Sequence, residues 1–370
     1  MLVEIHMIQN HAPSNLNRDD TNSPKDAVFG GSLRARISSQ CLKRSIRRSP
    51  LFEEAMVGHL ATRTRRLPAL LKDELKVLGC DDDTAVAIAR KATEIGSGKP
   101  DEKDMTRQLI FFSSDELKAL ARELKALLDR EGLAALQKRK IDEIEKYVSL
   151  PKPTSVDVAL FGRMTTSVAF EDVEAAVQVA HAISTGKVEK QFDYFTAVDD
   201  LVEAADELGA GMIGDVEFNA ATYYKYFSID WDQLVKNLGG DTETARRTLG
   251  AFIKAAALTA PSGKQNTFAA HNPPDAILVE VKPHKIPTSY ANAFISPVKA
   301  NDEKDTVEQS IERLATYANR LKAAYDISTV ACFALTVNGQ SLPGATKTKT
   351  LAELIAATQR AIGEGREGGA

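Results

Sequence analysis

The order of the chain predicts an α+β fold, a small sheet domain of ferredoxin-like type that carries insertions. Three observations predict it. Strand-like segments open the chain and return near 219–229, 276–283 and 329–337. Helical periodicity fills the intervals at about 241–259 and 307–324. Between the first strand and the rest stands a block, 51–149, that is Ala-, Leu-, Lys- and Glu-rich and almost wholly helical. No internal repeat is visible.

At 370 residues the chain has room for one large domain or two ordinary ones. A hydrophobic content of 43% with 26% charged residues is that of a soluble globular protein. No apolar run approaches the ~18 residues of a membrane span, so no membrane partner is expected. The start, MLVEIHMIQNH, has neither the basic nor the apolar region of a secretory signal. Cys41, Cys80 and Cys332 are odd in number and far apart. They point to a reducing, cytoplasmic setting and against a disulfide framework or a zinc site.

Residues 2–9 alternate imperfectly between apolar and polar and predict the opening strand. Residues 10–37 read as a loop, with Pro13, Asn15, Asn17, Asp19, Asp20, Pro24 and the Gly30-Gly31 pair. Ser38 or Ser39 is then placed to cap a helix from Gln40 to about Arg48, which Pro50 helps to end. On it Lys43/Arg47 and Arg44/Arg48 are i, i+4 pairs that form a broad basic face. Leu42 and Ile46, also i, i+4, anchor the other face. The helix N-terminus, with Ser38 and Gln40 beside it, is a natural seat for a phosphate.

Charge is segregated along the chain. Lys25 to Arg66 holds ten Lys/Arg against three acids, a net of +7, in a protein of net charge −4. Such a segment fits a polyanion site, and charge alone fits a solvated helix face as well. Residues 187–218 show the opposite balance, with nine acids against Lys187 and Lys190. Phe192, Tyr194 and Phe195 open that segment and Met212-Ile213 lie near its end. It reads as a projecting arm.

Within the helical block Ser113 and Glu116 form a capping box ahead of a Leu stripe. Pro151 and Pro153 mark a boundary. Beyond it 156–170 reads as a strand or hairpin broken at Gly162-Arg163, and 173–184 as a helix. The tail 361–370 reads as disordered.

No motif implies a cofactor. Gly209 to Gly214 matches G-x-G-x-x-G, but an acidic segment precedes it and a strand follows. Gly263-Lys264-Gln265 lacks the rest of a phosphate loop, which leaves Lys264 as a single phosphate contact or a plain surface lysine. The six histidines show no metal-ligand spacing. His6 and His11, on or near the first strand, are either structural or a general base beside RNA. Met164, next to Arg163, is either core or an apolar wedge between bases.

The stretches NHAPSNLNRDDTNSPKDAVFGG and RARISSQCLKRSIRRS closely resemble the CasC-type backbone subunit of the type I-E CRISPR Cascade complex. The resemblance recurs in order at DVALFGRMTTS, AHAISTGKV, DYFTAVDDL, GKQNTFAAHNP and YANAF. It implies an RRM-like palm and web from 1–50, 156–186 and 219–360, helical fingers at 51–155 and a thumb at 187–218. It implies several copies in a helical head-to-tail row on a CRISPR RNA, beside other Cascade subunits, with target DNA paired through the guide. Nuclease activity is not part of that picture. The implied RNA contacts are Arg18, Lys25, Ser38, Gln40, Lys43 and Arg47, with Met164 as the wedge. Arg44, Arg163 and Lys264 join them as neighbouring cations. Tyr194, Phe195 and Ile213 fall in the thumb, where the family carries Trp for Tyr194 and Leu for Ile213. The competing expectation is a CRISPR RNA-processing endonuclease with His6 or His11 as base or Asp20 as a metal-linked acid. A general nucleic-acid-binding protein is a third.

Overall fold

A computed structural model describes residues 1–96, 104–197 and 212–367. Strand β1 (Leu2–Ser14) is the middle of its large sheet. It is longer than the alternation at 2–9 implied, because both edges are paired: antiparallel strands flank it at 276–282 and 212–230. Val3, Ile5 and Met7 face one side, and Glu4, His6 and Ile8 the other, all buried. The alternation was imperfect because the polar face is covered too.

The segment expected as loop holds a hairpin, β2 (Asp26–Phe29) and β3 (Ser32–Ile37), turning at Gly30-Gly31 with φ of +58° and +73°. A Cβ on Gly30 would run into the Ile295 carbonyl. The two glycines that read as loop residues are a tight turn between strands. Helix α1 (Ser39–Arg47) follows as expected, and Pro50 starts α2 (Pro50–Ala55).

The helical block contains β4 (Thr62–Thr64), α3 (Leu67–Val77), α4 (Asp82–Ala92) and β5 (Ile110–Phe112). It continues with α5 (Ser114–Glu131), α6 (Leu133–Lys138) and α7 (Ile141–Tyr147). Ser113 caps α5 in the expected box with Glu116. Leu71, Leu75, Ile88, Leu120, Leu124 and Ile144 meet in its core.

Two expectations fail next. Residues Val156–Phe161 form helix α8, where a strand was expected. A short apolar run reads equally well as a buried helix turn. The expected helix at 173–184 is instead β6 (Val177–Val179) and β7 (Ala182–Ser184), the latter paired with 223–224. The acidic arm is a hairpin of β8 (Gln191–Ala197) and the long β9 (Met212–Asp230). There follow α9 (Trp231–Asn237), α10 (Thr242–Leu258), α11 (Gln265–Phe268) and β10 (Ala276–Lys282). A 3-10 turn (Ala291–Phe294), α12 (Thr306–Ala324), β11 (Ala331–Thr336) and β12 (Thr346–Lys347) come next. The last element, α13 (Leu351–Glu367), takes in most of the expected disordered tail, because Leu354 and Ile362 are buried.

The sheet order is β12-β11-β10-β1-β9-β7-β3-β2, with β6 and β8 also on β9, mostly antiparallel. This mixed α+β architecture is that of a ferredoxin-like palm. Two compact units result. The first holds Met1–Glu53, Gln178–Asp230 and Leu249–Ala370, and the second Glu54–Val177 and Trp231–Thr248. The second is wider than the expected fingers at 51–155. No helix among the described residues is long and apolar enough to cross a membrane.

Candidate nucleic-acid interface

Helix α1 begins where Ser38, in extended conformation, accepts a hydrogen bond on Oγ from the Cys41 N–H at 3.3 Å. The Ser38 N–H in turn donates to Asn17 Oδ1 at 2.8 Å, which ties the helix start to the 15–25 loop. Ser38 is buried, so its hydroxyl builds the helix end. Leu42 and Ile46 are buried beneath the helix. Gln40, Lys43 and Arg47 share one stripe of its outer side, with Arg44 and Arg48 on the next. The first turn has no acid, so the positive helix end stays uncompensated. Among the described residues Lys43 and Arg44 have no acidic partner, whereas Arg48 pairs with Glu53 at 2.6 Å.

The loop is held by its own side chains. Asn15 Nδ2 donates to the carbonyls of Asn22 and Glu217, and Arg18 Nη1 reaches Asn22 Oδ1 at 3.3 Å. Asp19 accepts from the Thr21 hydroxyl and from the N–H groups of Thr21 and Ser23. Those bonds, the Thr21 hydroxyl first, hold its carboxyl below the usual range. Arg18 therefore keeps an exposed guanidinium free of Asp19, and Lys25 lies half-buried. The third wall is 259–264. A Cβ on Gly263 would lie 2.7 Å from the Asn15 carbonyl oxygen and nearer still to that of Leu16. Lys264 follows at φ +50° and is half-buried. Together the loop, α1 and 259–263 enclose an open cleft of about 690 Å³.

Not every cation of this region faces out. Arg34, in β3, is fully buried and donates to the carbonyls of Ser184, Thr185, Phe294 and Ile295. It is a strut of the fold. In the second unit Arg163 must be corrected in the same way. Its guanidinium is buried, bonded to Glu116 at 2.8 Å and to the carbonyls of Phe111 and Glu171. Its donors are taken up inside the fold. Burial of a cation at the Gly162 break was not readable, because its carboxylate partner lies 47 positions away. Its neighbour Met164 is 94% exposed, so it is not a core residue.

The β8–β9 hairpin sets Tyr194 opposite Asp215, Phe195 opposite Gly214 and Thr196 opposite Ile213. Phe192, Tyr194 and Ile213 therefore share one face, each at least 60% exposed. On the other face the Phe195 ring lies across Gly214, 2.6 Å from where a Cβ would stand. Asp199, Asp200, Glu203, Asp206, Glu207, Gly209 and Gly211 lie outside the described residues.

The two histidines of the endonuclease expectation are both fully buried. His6 stacks on Tyr290 at 4.4 Å and shares a 2.8 Å hydrogen bond with the Tyr224 hydroxyl. Burial pushes it down to about 3. His11 stands edge-on to Tyr223, and burial likewise pushes it down to about 3. Among the described residues Glu4, His6 and Glu280 have the spacing of metal ligands. Lys282 pairs with Glu4 and Lys322 with Glu280, so two ammonium groups already compensate the two carboxylates. This buried cluster was not legible in the sequence; its only signal was the polar half of the first strand.

A comparison with curated proteins returns no match. Among solved structures, the chain is similar to a chain of a "CRISPR RNA-guided surveillance complex, pre-nicking". The two are 33% identical with a TM-score of 0.82, over 98% of this chain and 100% of that one. A chain of a second "CRISPR RNA-guided surveillance complex" is 28% identical with a TM-score of 0.73, over the same shares. A family model described as CT1975-like protein matches residues 3–358. That match spans nearly the whole sequence, and the protein belongs to the CT1975-like protein family.

Proposed function

We propose that this chain is the non-catalytic, CasC-type backbone subunit of a type I-E CRISPR RNA-guided surveillance complex, working in the cytoplasm. One observation carries the reading. A stripe of Gln40, Lys43 and Arg47 lies on a capped helix whose first turn has no acid, in a chain similar over 98% of its length to a chain of such a complex. A backbone subunit must hold any guide, so it grips phosphates and ignores base identity. Cations on a helix face do that and leave the bases free to pair with target DNA. Met164 separates bases at regular kinks. The apolar hairpin face of Phe192, Tyr194 and Ile213 meets the next copy, a heterologous contact that repeats into a helical row. Other subunits of the complex complete the assembly.

The test is RNA binding by the full chain. Lys43→Ala and Arg47→Ala lower affinity for RNAs of unrelated sequence by the same factor. Each flattens the log–log salt dependence by about 0.7. A loss confined to some sequences overturns the reading. Incubation with labelled CRISPR RNA, with and without magnesium, leaves the RNA intact. Cleavage abolished by His11→Ala would establish the endonuclease instead.

A further inference from the structure

We infer that two carboxylates, Glu145 and Asp172, are positioning residues for Met164, holding the loop that presents its side chain to the RNA. The inference rests on the proposed function, in which Met164 is the wedge. The loop runs from Arg163 to Val173, and these two residues close it. Each backbone N–H donates to the other's carbonyl, at 2.9 and 2.8 Å. Toward the far end Ala169 and Phe170 sink into the core of the second unit. Met164, 94% exposed, stands between these anchors.

The carboxylates tie the residues around it. Asp172 Oδ1 accepts from the Thr165 N–H, the peptide next to Met164, at 2.7 Å. Glu145, buried in α7, accepts on Oε1 from the Ser167 hydroxyl at 2.7 Å and from the Gly96 N–H at 3.1 Å. Its Oε2 faces the Val168 N–H at 3.5 Å. Between them the Thr166 hydroxyl donates to the Gly96 carbonyl. Each residue from Thr165 to Ser167 thus has a partner outside the tip, and the backbone is fixed on both sides of Met164.

A wedge needs this support. Unstacking bases costs free energy, and a loop that yields lets the bases restack. A methionine side chain turns about three bonds, so the backbone that carries it must set its direction. Ordering that backbone before RNA arrives removes the ordering cost from the binding step. Hydrogen bonds to an ionised carboxylate are stronger than neutral ones, which suits them to the task. Asp172 is exposed, and an acid beside a polyanion repels it. Its bond to the Thr165 N–H gives it a role that offsets the repulsion.

The experiment uses the full chain saturated with single-stranded RNA that carries a fluorescent base analogue at successive positions. Urea midpoints fix a temperature at which the variants are folded. Glu145→Ala and Asp172→Ala are expected to lose most of the unstacking signal, as Met164→Ala does, although Met164 is intact. Glu145→Gln and Asp172→Asn keep Oε1 and Oδ1 as acceptors and retain the signal. The salt slope of RNA affinity counts Lys and Arg contacts, so it stays that of the wild type. A role in stability alone would lower the midpoint and leave the signal at saturation. Signal retained in a folded Ala variant therefore overturns the inference, as does an equal loss in the Gln and Asn variants. Should Glu145→Ala fail to fold, Asp172→Ala decides, since its site is at the surface. Loss in Met164→Ala with none in Asp172→Ala sinks this inference alone. A signal unaltered in Met164→Ala sinks the wedge, and this inference with it.

Discussion

The Arg163 guanidinium donates to a Glu116 carboxylate oxygen at 2.8 Å, with both side chains all but removed from solvent. Removing one member of such a pair strands the other charge. Arg163→Ala is expected to destabilise the protein by about 3–5 kcal/mol in chemical denaturation. Its salt slope for RNA stays that of the wild type at temperatures where the variant is folded. Wild-type stability with a flattened slope would return Arg163 to the RNA contacts.

Met164 is the contrasting neighbour. Its side chain is 94% exposed, so Met164→Ala changes stability by no more than about 0.5 kcal/mol. The variant still binds RNA, but a fluorescent base analogue that reports unstacking at the kink loses its signal. An unaltered fluorescence profile sinks the wedge.

Gly263 packs backbone to backbone against Asn15 and Leu16. Gly263→Ala pushes the loop that carries Arg18 and is expected to cost about 1–3 kcal/mol. RNA affinity falls although every cation is retained. A variant with the wild-type denaturation midpoint would show that the loop yields freely.

Stability depends on pH through His6 and His11. Burial lowers both to about 3 in the folded chain, while the unfolded chain takes them up near pH 6.5. Between those values the unfolded state binds more protons, so stability falls as pH drops from 6.5 toward 3. The slope reaches up to about 1.4 kcal/mol per pH unit for each histidine. His11→Asn removes one share of that slope, which urea midpoints between pH 7 and pH 4 measure. A midpoint flat across that range in the wild type contradicts the burial.

Much of the candidate site could be read in the sequence because its causes are local. The Ser38 cap, the Leu42/Ile46 anchor and the Lys43/Arg47 stripe are set by residues within three turns of one helix. The Ser113/Glu116 box is local in the same sense. The hairpin at Gly30-Gly31, helix α8 and strands β6 and β7 were misread because short apolar or Gly-rich runs take their form from what pairs with them. Strand β7 exists through Tyr223 and Tyr224 of β9, some forty residues later.

The sequence by itself determined that this is an α+β chain with a capped, basic helix near its start, since periodicity, capping and charge order need no distant partner. Only the tertiary structure decided which cations stay at the surface. Arg34 and Arg163 were drawn inward by carbonyls and a carboxylate far along the chain. Arg18, Arg44 and Arg48 were brought around one cleft from two separate segments. A cation's side chain goes where its charge is best compensated, and that compensation is fixed by contacts distant in sequence.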